Sequence, residues 1–324
     1  MALTRQQALA PFQGARVVVL GADGFIGRWV ARLLTEGGAE LVLAVLDPAR
    51  AAPVFARWGV RGAVRAVDLM KSGSAREFLI ATKPMVLFNL AGYGVARDQR
   101  DAKAMWRLND ELLGELSLSF VEARASGWKG TPFVHAGSAA EYGAIRGNLA
   151  ESSDCAPTSD YGRSKLRGTH TLLLRADLGD FPAAVGRLFS VYGPGEIAGR
   201  LLPTVMAARA TREPIPLTAG TQQRDFTYVE DSAEALLRLA LLPPGEPQAF
   251  NVATGKLTSV RQFALNAAAI LGVPISRLSF GALPTAADEM QHEPVTNARL
   301  LAATGWAPKT TLVDGIGKTR AFEA

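Results

Sequence analysis

The sequence predicts an α/β fold in which a doubly wound parallel sheet carries a smaller C-terminal domain. Short β-branched runs alternate with amphipathic stretches through the first half of the chain, and the first run leads into a glycine-rich turn. Such alternation favours parallel strands joined by helices, with ligands at the carboxyl ends of the strands. We expect the sheet domain to occupy 1–187, continued by about 220–258, and the smaller domain to be built from 188–219 and 259–324.

The composition limits the class of protein. The 324 residues are 48% hydrophobic and 20% charged, which is typical of a globular chain. The single cysteine, Cys155, cannot form an internal disulfide, and no stretch approaches the roughly 18 apolar residues of a membrane span. We therefore expect a soluble, cytoplasmic protein. The net charge of +5 comes from scattered Lys and Arg, and the histidines lack metal-ligand spacing, so we expect no nucleic-acid partner and no metal.

The first strand, Val17–Leu20, is followed by three glycines at a spacing of three. Small residues at such a turn let the backbone approach a pyrophosphate, and the N-terminus of the following helix offers free N–H groups. This pattern predicts a dinucleotide site made by Gly21, Gly24, Phe25, Ile26 and Gly27.

The second strand ends at Asp47, twenty residues after Gly27. An acidic side chain at that point can accept hydrogen bonds from the ribose hydroxyls of a dinucleotide, and it repels a 2′-phosphate. We therefore expect NAD as the cofactor. Arg28 and Arg50 lie close enough in sequence to leave NADP open.

Two further strands end in turns where the same edge of the sheet would meet the cofactor. The segment VRAVDLM places Asp68 and Leu69 at the end of the third strand, where an adenine edge can be contacted. The fourth strand runs into a turn of small residues formed by Leu90, Ala91 and Gly92. Because the carboxyl ends of parallel strands share one edge, these turns are predicted to join the glycine turn.

The fifth strand and the helix after it carry a possible proton-transfer centre. Ser138 lies at the exit of the strand, and Tyr161 and Lys165 follow in DYGRSK, four residues apart and therefore on one helix face. A lysine beside a tyrosine stabilises the phenolate and lowers the tyrosine pKa, which suits it to acid–base chemistry. Such pairs also arise by chance, so the context has to decide.

Taken together, the motifs resemble the extended short-chain dehydrogenase/reductase family, in the branch of nucleotide-sugar epimerases, dehydratases and 4-ketoreductases. The matching segments cover nearly the whole chain and are, in order, GADGFIG, DL, NLAGYG, GSAAEYG, YGRSK, GRLFSVYGPG, RDFTYVEDSAEALLRL, FNVATG and GWAP. The resemblance implies a Rossmann sheet, an NAD(P)-dependent oxidoreductase, and a homodimer formed through a four-helix interface that includes the Tyr161 helix.

The resemblance also implies roles for individual residues. Tyr161 would exchange a proton with a sugar hydroxyl or carbonyl, Lys165 would lower its pKa and hold the nicotinamide ribose, and Ser138 would bind the same sugar oxygen. Asn109 corresponds to the structural Asn of the family's catalytic group, with an ordinary helix residue as the alternative. The nucleotide-sugar substrate would be held by Ser138, Ser190, Arg224 and Arg299.

The absence of an acidic pair after Ser138 limits the reactions that can be expected. Ala139 and Ala140 stand where related sugar 4,6-dehydratases carry an Asp–Glu pair, so dehydration is not expected. Reduction of an NDP-4-keto-6-deoxyhexose is favoured by the serine strand exit and the C-terminal segments. An epimerase that retains NAD and a catalytically silent binding protein stay as alternatives. His135 is expected to pack in the core, with the alternative that its place at a strand end shortly before Ser138 lets it reach the site. Glu141 is expected to make a local hydrogen bond.

Overall fold

Strand and helix alternate from Arg16 to Leu188 in the computed structural model, which describes residues 3–96, 99–145, 148–179, 181–285 and 294–323. The strands are β1 (Arg16–Leu20), β2 (Glu40–Val45), β3 (Ala63–Ala66), β4 (Val86–Asn89), β5 (Phe133–Ser138), β6 (Ala183–Leu188), β7 (Ser190–Tyr192), β8 (Ile215–Leu217), β9 (Gln223–Tyr228), β10 (Gln248–Val252), β11 (Leu257–Ser259) and β12 (Leu278–Phe280).

The helices follow the same order along the chain. They are α1 (Arg5–Leu9), α2 (Phe25–Glu36), α3 (Pro48–Trp58), α4 (Ser74–Thr82), α5 (Ala102–Trp106), α6 (Leu112–Ala123), α7 (Asp160–Leu178), α8 (Leu201–Ala207), α9 (Val229–Ala240), α10 (Val260–Leu271), α11 (Ala298–Thr304) and α12 (Leu312–Glu323). A π-helical turn, Arg107–Glu111, joins α5 to α6. None of the helices in the described ranges is both long and apolar enough to cross a bilayer.

The described residues form a seven-stranded sheet in the order β10–β6–β5–β4–β1–β2–β3, and every pair in it is parallel. The chain runs outward from β1 to β3, then returns to β4 on the other side of β1. The strand order therefore reverses between β1 and β4, which is where a doubly wound sheet binds its ligand. The predicted fold class is confirmed.

Strand β1 shows why the sheet is covered on both faces. Val17 and Val19 belong to one buried cluster, whereas Val18 and Leu20 belong to the other. Because side chains alternate along a strand, this places one cluster on each side of the sheet. A strand buried on both faces needs a continuous apolar run, which is what the sequence has.

Two small sheets lie outside the large one. β7 pairs in parallel with β9, β9 pairs antiparallel with β11, and β8 pairs in parallel with β12. The segment 220–258 was expected to rejoin the large sheet, and β10 does so; β9, however, pairs only within the small sheet. In the large sheet β10 occupies the place beside β6, and β9 lies instead between β7 and β11.

Candidate active site

The glycine turn after β1 is shaped by backbone contacts that exclude side chains. Gly21 has φ +70°, and a Cβ there would lie 2.9 Å from the Ala91 nitrogen. A Cβ on Gly27 would lie 2.0 Å from the Gly21 oxygen. Gly24 is the N-cap of α2, so the first turn, which includes Phe25 and Ile26, presents N–H groups that have no partner within the helix. This close-packed turn with exposed donors fits a pyrophosphate.

Asp47 occupies the position expected for ribose binding. It is the N-cap of α3, where its Oδ1 accepts hydrogen bonds from the backbone N–H groups of Ala49 (2.9 Å) and Arg50 (3.2 Å). The Arg28 side chain is held elsewhere, because it donates to the Gly24 and Asp23 carbonyls and its guanidinium lies 4.7 Å from the centre of the Trp58 ring. A carboxylate at this position, with Arg28 so engaged, fits NAD.

The turns after β3 and β4 complete this edge of the sheet. Asp68 accepts a hydrogen bond from the Met70 N–H at 3.0 Å, and Leu69 is half-buried against the second core cluster. The Leu90 N–H donates to the Leu20 carbonyl at 3.0 Å, which brings Ala91 against Gly21. A Cβ on Gly92 would lie 3.2 Å from Asn109 Oδ1. The structure thus brings the predicted cofactor segments together.

Ser138 and Tyr161 meet because two backbone segments pack unusually closely. Ser138 ends β5 and caps a short 3₁₀ turn, where its Oγ accepts from the Ala140 N–H at 3.1 Å. Tyr161 lies in the first turn of α7, and a Cβ on the next residue, Gly162, would lie 2.4 Å from the Ala140 oxygen. The missing side chain at Gly162 lets α7 approach, and the Ser138 hydroxyl forms a hydrogen bond with the Tyr161 phenol.

The direction of the Tyr161 pKa differs from the expectation. Burial raises the pKa of Tyr161, the hydrogen bond with Ser138 lowers it, the nearby charge of Glu141 raises it and that of Arg200 lowers it. The resemblance implied instead that Lys165 would lower this pKa. In the structure the Lys165 ammonium faces the Ala136 carbonyl, so burial dominates at the phenol.

Lys165 is buried one helical turn beyond Tyr161 and is held by two acceptors. Its Nζ donates to the Ala136 oxygen at 2.6 Å and lies 3.2 Å from His135 Nε2. Burial lowers the pKa of Lys165 to about 8, against the opposing influence of the Glu141 carboxylate. The fully buried His135 ring packs in the core, as expected, and its contact with the lysine also places it beside the site, which was the alternative.

Asn109 is fully buried and all of its amide groups are engaged. Its Nδ2 donates to the Tyr93 oxygen (2.8 Å) and to Ser164 Oγ (3.0 Å), and its Oδ1 accepts from the Tyr93 N–H at 3.0 Å. These bonds fasten the turn after β4 to α7. The geometry supports a structural role for Asn109 beside the Tyr161 helix, where the sequence left a catalytic-group Asn and an ordinary helix residue open.

The proposed substrate residues separate into two groups. One open cleft, with a volume of about 890 Å³, is lined by Ser138, Tyr161, Ser190 and Arg224. Arg299 does not reach this cleft. It donates to the Ala249 oxygen at 3.1 Å and lines a different cavity at the opposite, amino-terminal edge of the sheet, because α11 packs beside β10 there. Its assignment as a substrate contact is therefore not supported by the structure.

Glu196 and Arg200 also line this cleft, and neither was singled out from the sequence. Glu196 is buried, its Oε1 accepts from Arg200 Nε at 3.4 Å, and its Oε2 has no hydrogen-bond partner among the described residues. Burial raises the pKa of Glu196 to about 7, opposed by the Arg200 guanidinium and by the Gly193 N–H. The segment VYGPG, which ends just before Glu196, was the available signal, but nothing local indicates that a loop glutamate is buried.

Glu141 does more than the local hydrogen bond expected of it. Its Oε1 accepts from the Ser138 N–H at 2.8 Å and from the Thr169 hydroxyl at 3.1 Å. Its Oε2 accepts from Arg187 Nε at 2.8 Å. A buried carboxylate therefore fixes the backbone of Ser138 to both α7 and β6.

Comparison with known proteins places this geometry in a family. The model of the NAD dependent epimerase/dehydratase family matches residues 17–253. The chain is 30% identical over 317 residues to a dTDP-6-deoxy-L-talose 4-dehydrogenase (NAD(P)(+)) of Kitasatospora kifunensis, covering 93% of each chain. It is 29% identical to a UDP-glucose 4-epimerase of Mycolicibacterium smegmatis, covering 95% of this chain and 98% of that protein.

Solved structures of nucleotide-sugar enzymes have a similar fold. MoeE5 in complex with UDP-glucuronic acid and NAD superposes with a TM-score of 0.78 at 25% identity, covering 95% of this chain and 98% of MoeE5. A UDP-glucose 4-epimerase from Thermotoga maritima, solved with UDP-glucose, superposes with a TM-score of 0.83 at 21% identity, covering 95% and 98% of the two chains. The second likeness supports the fold alone.

Proposed function

Because the chain belongs to the NAD dependent epimerase/dehydratase family of nucleotide-sugar enzymes, we propose that it reduces the 4-keto group of an NDP-4-keto-6-deoxyhexose. The observation that carries the proposal is the single cleft lined by Ser138, Tyr161, Ser190 and Arg224. The similarity to a dTDP-6-deoxy-L-talose 4-dehydrogenase, a protein named for oxidation at the same sugar carbon, supports this choice.

In this proposal the chain's residues handle the proton and the orientation of the sugar. The glycine turn and Asp47 would hold NADH, which would supply a hydride for the carbonyl carbon. Tyr161 donates its phenolic proton to the carbonyl oxygen, and Ser138 donates a hydrogen bond to the same oxygen, so a ketone becomes an alcohol. The hydrogen bond from Ser138 stabilises the phenolate left on Tyr161 until solvent returns the proton, while Lys165, one helical turn away, is proposed to hold the nicotinamide ribose.

Ser190 and Arg224 are proposed to hold the diphosphate of the substrate. Arg224 lies on β9 and Ser190 begins β7, which are neighbouring strands of the small sheet. A guanidinium can make paired hydrogen bonds to phosphate oxygens, and a hydroxyl can add another. The smaller domain would thus bind the nucleotide sugar, while the large sheet binds NAD.

The adjoining alanines support reduction over dehydration. Ala139 and Ala140 follow Ser138 and line the same cleft, but their methyl groups cannot transfer a proton. Removing water from a hexose needs an acid and a base beside the sugar ring. Without them at these positions, exchange of a hydride and a proton is the chemistry that the cleft supports.

A nucleotide-sugar 4-epimerase is the second candidate. It is favoured by the similarity to the UDP-glucose 4-epimerase of Mycolicibacterium smegmatis over 95% of the chain. The same Ser138, Tyr161 and Lys165 would serve, since an epimerase oxidises and then re-reduces the same carbon. The two reactions differ in whether NAD stays bound through turnover.

Nucleotide content separates the two candidates. The purified protein is denatured, and the released ligands are identified and counted by mass spectrometry. One NAD per chain, together with conversion of UDP-glucose to UDP-galactose without added cofactor, would favour the epimerase. NADH oxidation that depends on dTDP-4-keto-6-deoxyglucose would support the reductase. Tyr161→Phe should abolish either turnover while leaving NADH binding close to that of the wild type; retained activity would contradict the mechanism.

We also propose a homodimer formed through α6 and α7. Leu118 and Val121 on α6, and Leu174 and Leu178 on α7, are large apolar side chains exposed by 45% to 73%. Two adjacent helices with such residues would gain by packing against a second copy. Light scattering should give a dimer mass for the wild type and a monomer mass for Leu174→Glu; a monomeric wild type would overturn the proposal.

A further inference from the structure

His135 lies between the catalytic lysine and the neighbouring strand, and no solvent reaches it. Its Nε2 is 3.2 Å from Lys165 Nζ on α7. Its Nδ1 is 3.2 Å from both the backbone oxygen and the side-chain nitrogen of Asn89 on β4. The ring therefore spans the space between β4 and α7, directly beneath the strand exit that leads to Ser138.

The chemistry of the neighbours fixes the state of the ring. A lysine ammonium can only donate, so Nε2 must accept, and the ring hydrogen is then on Nδ1, where the backbone oxygen of Asn89 accepts it. The Asn89 side-chain nitrogen cannot donate to a protonated Nδ1, and turning this amide by 180° brings its Oδ1, which has no partner among the described residues, to the same place as a second acceptor. Burial lowers the pKa of His135, and the positive charge of Lys165 lowers it further. The charged groups around the pair are Lys165 itself and Glu141, which acts on the lysine from the 3₁₀ turn. The ring is thereby kept neutral and usable as an acceptor.

Two acceptors leave the lysine with one N–H. The ammonium has three hydrogens; the Ala136 oxygen takes one and His135 Nε2 takes another. The remaining N–H is then directed by the other two, since the three point to the corners of a tetrahedron. A flexible four-carbon side chain would otherwise hold its charge with little directional precision.

We propose that His135 is a positioning residue that aims the third N–H of Lys165 at the ribose hydroxyls of the nicotinamide nucleotide. This rests on the proposed function in one respect only, namely that Lys165 contacts the cofactor beneath Tyr161. Nothing in it depends on which nucleotide sugar is the substrate. The alternative is that His135 fills space between β4 and α7 and does nothing else.

Two polar substitutions separate these roles. In His135→Gln the side-chain oxygen can take the place of Nε2 and accept from Lys165, whereas in His135→Asn the amide reaches Asn89 but not the lysine. The NADH dissociation constant, measured by fluorescence, should stay within about twofold of wild type in the Gln variant. It should rise about tenfold in the Asn variant, the loss expected for one hydrogen bond to a charged group.

A double-mutant cycle gives the second readout. Lys165→Met should weaken NADH binding by itself, and adding His135→Asn to Lys165→Met should then cost nothing more. As the pH is raised, the His135→Asn variant should lose NADH binding at a lower pH than the wild type does. The reason is that without its acceptor the Lys165 ammonium loses its proton more readily. Substitution of the exposed His170 by Gln is the control and should change neither affinity nor melting temperature.

The outcomes distinguish this inference from the proposed function. Equal weakening in the Gln and Asn variants, or additive losses with Lys165→Met, would mean that His135 only packs. If Lys165→Met binds NADH as tightly as the wild type, the role of the lysine fails, and the inference fails with it. A protein that binds NADH normally but turns over no nucleotide sugar would refute the proposed function and leave the role of His135 standing.

Discussion

Glu141 and Arg187 form an ion pair of 2.8 Å that is buried on both sides, and the same carboxylate holds the backbone of Ser138. Arg187 also donates to the Tyr142 hydroxyl at 3.1 Å, and Tyr142 donates to Asn251 Oδ1 at 2.7 Å. Burial by itself would lower the pKa of Arg187, but the Glu141 carboxylate outweighs burial and the pKa lies above its ordinary value. A buried polar network therefore connects Ser138 to β10.

Removing one partner of this pair should be costly. In Arg187→Met the Glu141 carboxylate keeps its place but loses its counter-ion, and stranding a buried charge costs about 3–5 kcal/mol. Urea denaturation should show this loss of unfolding free energy. Arg76→Met, which breaks the exposed pair between Arg76 and Glu122, is the matched control and should change stability far less. Equal effects would mean that burial of the pair is unimportant.

The close approach of α7 to the 3₁₀ turn depends on Gly162. In Gly162→Ala the new methyl group would meet the Ala140 carbonyl at 2.4 Å, and because both atoms belong to rigid backbone, α7 has to move. We expect a lower melting temperature and a turnover number reduced about tenfold or more, since Tyr161 shifts from Ser138. Gly114→Ala in α6 is the control, because its methyl group would be 3.6 Å from Thr171. It should fold and react normally.

Glu196 should make stability depend on pH. Its pKa is about 7 in the folded protein against an ordinary value of 4.5, so the folded state binds a proton more tightly than the unfolded state. Stability relative to Glu196→Gln should therefore fall as the pH rises from about 4.5 to 7, by no more than about 3 kcal/mol. Thermal unfolding of both proteins across this range measures the difference. Parallel curves would contradict the raised pKa.

Asp47 should control the choice between NAD and NADP. Asp47→Asn keeps an oxygen that can cap α3 but removes the charge that repels a 2′-phosphate. We expect the ratio of NADPH to NADH affinity to increase about fivefold to tenfold, with little change in melting temperature. Fluorescence titrations with both cofactors test this. An unchanged ratio would indicate that another group selects the cofactor.

The parts of the fold that could be predicted are those with local signals. The alternation of buried runs and helices predicts the parallel sheet, and the spacing of Gly21, Gly24 and Gly27 predicts the turn that the structure shows. Ser138, Tyr161 and Lys165 are likewise near one another because a strand exit and a helix start meet at a known edge of the sheet.

What could not be predicted depends on distant packing. Arg299 lies at the far edge of the sheet because α11 packs beside β10, a choice that no local pattern reveals. The contact of His135 with Lys165 joins residues on different elements. The direction of the Tyr161 pKa follows from how much protein surrounds the phenol, which spacing along a helix does not contain.

The pairing of β7 with β9 has a consequence for how this enzyme can diverge. Ser190 and Arg224 belong to this small sheet, whereas the glycine turn and Ser138 belong to the large one. If Ser190 and Arg224 hold the substrate as proposed, substitutions at these two positions would alter which molecule binds while leaving the glycine turn and Ser138 unchanged. After gene duplication, changes confined to β7 and β9 could then give copies that bind different substrates and keep the same glycine turn and Ser138.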